Sequence, residues 1–95
     1  MSSKHNQDWE ISESRTFMNM YLNGYKWTDE KVLCTKISHE LGRSFHAIKL
    51  RVQEVARILN GERTYPIVTP HMVQAVNEVL ESGQYTKGRL SMIFE

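Results

Sequence analysis

Between positions 43 and 57 the chain gathers Arg43, His46, Lys49, Arg51, Gln53 and Arg57, with one carboxylate, Glu54, among them. The chemistry open to such groups is non-covalent. Guanidinium and ammonium groups neutralise phosphates and release condensed counterions, which makes binding salt-dependent. Arg43, Arg51 and Arg57 are the phosphate candidates. Lysine also pairs with a guanine edge and glutamine with an adenine edge, so Lys49 and Gln53 are the base-edge candidates. His46 can serve either role. These residue types lead to the expectation of a double-stranded DNA ligand.

Covalent and metal chemistry lack the groups they need. His5, His39, His46 and His71 are scattered, and Cys34 with His39 makes one Cys and one His, too few for a zinc site. No glycine-rich phosphate loop occurs, and the Asp and Glu residues are spread as helix starts and solvated charges. No enzyme, cofactor or metal is expected. Cys34 falls on an apolar helix face and reads as a small buried hydrophobe. A reactive thiol needs an electropositive, exposed setting.

To act together, the cationic set must lie on one face of one helix. The local sequence provides for that. Gly42 can take the left-handed conformation that closes a helix. Ser44 is a natural N-cap for the next one. The stretch Ile37–Leu59 therefore reads as a helix end, a tight turn and a second helix over 44–59, the core of a helix-turn-helix. At about 100° per residue, Ile48, Val52, Val55 and Leu59 share one stripe. His46, Lys49, Gln53 and Arg57 fall opposite, with Leu50 among them. The stripe is expected to dock on other helices while the polar face meets base edges and phosphates. An ordinary amphipathic surface helix has the same division, with these side chains merely solvated.

A first helix is predicted over 12–23, with Ser12 as N-cap, Glu13 in the first turn, Phe17, Met18, Tyr21 and Leu22 on its apolar face, and Gly24 as its stop. Trp9 is expected as the first packed residue. A second helix is predicted over 28–41, with Thr28 as N-cap and Trp27 stapled onto Val32. Leu33, Cys34, Ile37 and Leu41 form its buried face. Thr69-Pro70 opens a further helix over 70–82, with Thr69 as N-cap and Pro70 at the first helical position. The tail carries Tyr85, Leu90, Met92, Ile93 and Phe94, too much apolar surface to leave in water. The predicted fold class is all-α. A flexible arm over 1–10 precedes a tri-helical helix-turn-helix core over 11–60. A C-terminal helix and apolar tail over 61–95 then complete the core or form a homodimer through 66–95.

Composition allows this reading. Ninety-five residues with 40% hydrophobic and 24% charged content suit one soluble domain of modest core. No apolar run approaches the roughly 18–20 residues that cross a membrane, so no membrane partner is expected. The polar start lacks the apolar segment of a signal peptide. The single cysteine excludes an internal disulfide and suits a reducing interior. The expected location is the cytoplasm, on the nucleoid, for a bacterial or phage protein, and the nucleus for a eukaryotic one. Net charge is only +1, but it is unevenly placed: −1 over residues 1–42, +3 over 43–65 and −1 over 66–95. The positive segment coincides with the second helix of the motif and its exit, a local footprint of nucleic-acid binding.

The string Ile37-Ser38-His39-Glu40-Leu41-Gly42-Arg43-Ser44, followed by Ala47-Ile48 and Arg51, resembles the tri-helical, homeodomain-like Myb/SANT helix-turn-helix. The resemblance covers roughly residues 9–57. It implies a DNA phosphate contact from Arg43 near the turn, and a groove-facing set among Ser44, Phe45, His46, Lys49, Leu50 and Gln53. The family usually carries one tryptophan per helix. Here Trp9 precedes the first helix, while Cys34 and Val52 stand where the other two fall. Trp27 lies instead in a longer connection between the first two helices.

Together these readings predict a sequence-specific DNA-binding protein, a small transcriptional regulator using helix 44–59. The alternative is a protein-binding adaptor or inhibitor, such as a phage-encoded protein acting on a larger protein of the host transcription machinery. In that case Phe45 and Leu50 are anchors in a docking surface.

Overall fold

The computed structural model describes residues 8–65 and 67–94, and over these the chain is all-α. Most of the arm expected over 1–10 lies outside the described residues. Five helices follow in order: α1 (Ile11–Gly24), α2 (Glu30–Leu41), α3 (Phe45–Leu59), α4 (Pro70–Glu81) and α5 (Lys87–Phe94). No helix among the described residues is long and apolar enough to cross a membrane.

The α2–α3 turn forms as its residues dictate. Gly42 takes φ 66° and ψ 31°, and both Gly42 and Arg43 return their N–H groups to the carbonyl of Ser38. A side chain there meets no neighbour, but the positive φ strains any residue with a Cβ. Ser44 then caps α3, its Oγ accepting the Ala47 N–H at 3.1 Å.

Two helix starts differ from the sequence expectation, and a third forms in place with other hydrogen bonds. α1 begins at Ile11, and Glu13 Oε1 accepts the Glu10 N–H at 3.1 Å, so Ser12 is not its cap. α2 is capped by Asp29, whose Oδ1 accepts the Val32 N–H at 2.9 Å, one residue after Thr28. Thr69 holds the N-cap position and Pro70 opens α4 as expected, but Thr69 makes no side-chain cap hydrogen bond. Its hydroxyl and N–H both donate to Glu54 Oε2, each at 2.6 Å, so a carboxylate on α3 fixes the entry to α4.

Gly24 ends α1 as expected, but without the positive φ of a left-handed cap. Its need is space, because a Cβ there would lie 2.7 Å from Leu33 Cδ1. Trp27 does not staple onto Val32. The tight turn returns Trp27 and Thr28 N–H groups to the Gly24 carbonyl, leaving Trp27 84% and Val32 42% exposed.

α1 packs on α2 and α4, and α3 packs on α2, α4 and α5. The stripe Ile48, Val52, Val55 and Leu59 is buried with Phe17, Met18, Ile37, Met72 and Val76. The C-terminal segment joins this same core. Leu90 is fully enclosed, and the Phe94 ring stacks on Tyr21 with centroids 4.5 Å apart. Cys34 is likewise fully buried.

Candidate nucleic-acid interface

α3 is the helix most surrounded by others, so its free face is narrow. At about 100° per residue, the exposed residues His46, Leu50, Gln53 and Arg57 form one line. Their spacing of four, three and four residues spans about three turns. Phe45 lies in the first turn beside the line. Phe45 and Leu50 are each 40% exposed, and no carboxylate belongs to the row. Ser44 is exposed at the N-terminal end of the same face, with its Oγ occupied in capping.

Arg43 does not reach this face. Its side chain is 2% exposed, and its Nε and Nη2 donate to the Glu13 carboxylate at 3.0 and 2.8 Å. Nη2 also donates to the Asp8 carbonyl at 3.0 Å, and the guanidinium lies 5.0 Å from the Trp9 ring centroid. An arginine enclosed in this way has no donor facing solvent to offer a DNA phosphate. The residue expected at the phosphate is a buried strut between the α2–α3 turn and the start of α1.

Arg51 also turns inward. Its guanidinium is 5.3 Å from the same Trp9 ring and pairs with Glu54 at 2.9 Å. Lys49 lies at the edge of the exposed line and is paired with Glu30 at the start of α2. That hydrogen bond raises the Lys49 pKa and keeps the ammonium charged. Arg63, the last cation of the positive segment, donates to the carbonyls of Ile58 and Glu62. Among the described residues Arg57 is thus the one cation of the segment with no ion pair or hydrogen bond drawn to its side chain. Of the segment's charge of +3, which already counts Glu54, two units are matched in space by Glu13 and Glu30 from other helices.

The inward arginines belong to a cluster that sequence reasoning did not find. Trp9 is its hub, 6.4 Å from Phe17 edge-on and stacked with His71 at 6.5 Å and 7°. His71 Nδ1 is 2.7 Å from Ser14 Oγ. Serine bonded to histidine is the first step of a nucleophile relay, but Ser14 is 0% exposed and no substrate can reach it. Burial lowers the His71 pKa, Glu54 opposes that shift, and Arg51 reinforces it. Trp9 and Phe17 were legible as packed residues and Glu13, four residues after Trp9, as a first-turn carboxylate, but nothing in the sequence joined them to the arginines. A carboxylate at that place satisfies a helix start equally well, which hid its second role.

Burial, aided by Glu30, pushes the Cys34 thiol up and away from the reactive thiolate. Among the described residues no three His, Cys, Asp or Glu side chains converge as metal ligands. A groove of about 400 Å³ runs beside Trp27, lined also by Met20, Leu33 and Lys36, on the flank of α2 away from Lys49.

No protein-family model, curated protein sequence or solved structure matches the chain.

Proposed function

We propose that the chain binds double-stranded DNA as a small transcriptional regulator, laying the outward line of α3 in the major groove. The observation that supports this is the row His46, Leu50, Gln53 and Arg57, left open on a helix that is otherwise packed on three sides. The row has donors and acceptors for base edges, one free cation and no carboxylate to repel phosphate. The capped turn at Gly42 and Ser44 holds the row at a fixed angle to α2, as groove insertion requires.

A second reading rests on Phe45 and Leu50. Two partly exposed apolar side chains beside neutralised cations also suit docking onto a larger protein.

Fluorescence anisotropy on a mixed-sequence duplex across a salt series separates the two. Arg57→Ala is expected to weaken binding uniformly and lower the salt slope by about one. Gln53→Ala is expected to act chiefly on a selected site, relaxing preference at one base pair by about 1–3 kcal/mol. Folded protein with no duplex binding at low salt would overturn the DNA reading. Phe45→Ala and Leu50→Ala would then be tested for loss of a protein partner.

A further inference from the structure

We infer that Glu30 is a positioning residue that holds Lys49 off the DNA-facing line and so sets how strongly the protein discriminates among sequences. The inference rests on the DNA reading above.

The two partners of this ion pair are unequally anchored. Glu30 opens α2, where the helix dipole favours a carboxylate. Its Oε2 accepts the Tyr21 hydroxyl at 3.4 Å, and Tyr21 is itself buried against Phe94. Lys49 carries its charge on a flexible four-carbon stem, three residues after His46 and four before Gln53. Side-chain exposures of 34% for Lys49 and 44% for Glu30 leave the pair open to solvent. A pair so exposed contributes little to stability and exchanges partners readily. Lys49 is the member that moves.

Two consequences follow for binding. While Lys49 rests on Glu30 the pair is neutral, and non-specific attraction to phosphates loses one of its few cations. When Lys49 leaves, the fixed carboxylate remains at the edge of the interface and repels phosphate. Departure is therefore repaid only where the duplex offers a strong bidentate acceptor such as a guanine edge. Glu30 weakens binding to arbitrary sequence more than binding to the right one.

The test is a double-mutant cycle of wild type, Glu30→Gln, Lys49→Met and the double variant, read by anisotropy on a mixed-sequence duplex across a salt series. Arg57→Ala serves as the reference. Glu30→Gln is expected to tighten binding roughly three- to tenfold near about 50 mM salt and to steepen the salt slope by about one. Lys49→Met is expected to change wild-type affinity less than about twofold and to cancel the gain in the Glu30→Gln background. Lys49→Met leaves α2 untouched, so it tests the inference even if Glu30→Gln lowers the melting temperature. A large loss from Lys49→Met alone, or an equal loss in both backgrounds, would overturn the gate. So would unchanged affinity in Glu30→Gln while Arg57→Ala still weakens binding, and the DNA reading would survive. If no variant binds the duplex at low salt, both the gate and the DNA reading fall.

Discussion

Arg43 and Arg57 lie on the same short, positively charged stretch, yet one is sealed against Trp9 and Glu13 while the other stands in water. The inner group around Trp9 joins α1, the α2–α3 turn, α3 and the start of α4 through charge-assisted hydrogen bonds and ring contacts. Among the described residues, the polar side chains of the outer line on α3 make no hydrogen bond or ion pair within the chain. Charge counted along a chain is therefore not charge presented to a partner. Cations that point inward need carboxylates to accompany them, because burying a lone charge costs several kcal/mol. The outer line is left with the groups the fold does not require.

The widest gap between the two regions is expected in stability. Arg43→Ala removes the ion-pair partner of the Glu13 carboxylate, which is 5% exposed and keeps the Glu10 N–H as a donor. A loss of about 3–5 kcal/mol is expected, read as a lower urea midpoint at unchanged slope. Arg57→Ala is expected to stay within about 0.5 kcal/mol of wild type. Similar small losses at both sites would erase the distinction drawn here. A second comparison concerns the C-terminal segment. Leu90 is fully enclosed and Met92 is 80% exposed two residues later. Leu90→Ala should cost about 2–5 kcal/mol while Met92→Ala should be near neutral, if α5 completes the core of the single chain. A large effect at Met92 that depends on protein concentration would instead point to a second copy on this face.

The fold was largely legible because helical periodicity reports it directly. Ile48, Val52, Val55 and Leu59 are buried as their spacing required. Gly42 and Ser44 act locally, so their roles follow from residue type alone. Helix starts at Glu10 and Asp29 were less legible because neighbouring residues compete for one cap. At Thr69 the start was legible, but its side chain donates to Glu54, 15 residues away in sequence, rather than capping α4. Of the candidate site, His46, Leu50, Gln53 and Arg57 were readable from the helix wheel. Arg43, Lys49 and Arg51 were not, since their partners Glu13 and Glu30 come from other helices and Glu54 looked solvated. A helix wheel separates inside from outside for apolar groups, but a long cation at its boundary follows whichever carboxylate the fold brings near.

The smallest expected effect concerns acid and the inner region alone. His71 lies against the Trp9 ring and the Ser14 hydroxyl, with Glu54, Glu13 and Asp8 favouring its charged form and Arg51 opposing it. Burial outweighs the carboxylates, so its folded pKa lies below the unfolded value of about 6.5. Above that pH both states hold a neutral imidazole and His71 contributes no pH dependence. As pH falls below it, the unfolded chain takes up a proton that the folded chain resists, and stability declines. The decline from this residue ends once pH passes the lowered folded pKa. Melting temperature followed downward from pH 7.5 should therefore drop more steeply below about 6.5 in wild type than in His71→Gln. Equal slopes would mean that the carboxylates, not burial, decide the charge of this histidine, and that the cluster around Trp9 accommodates a proton as easily as water does.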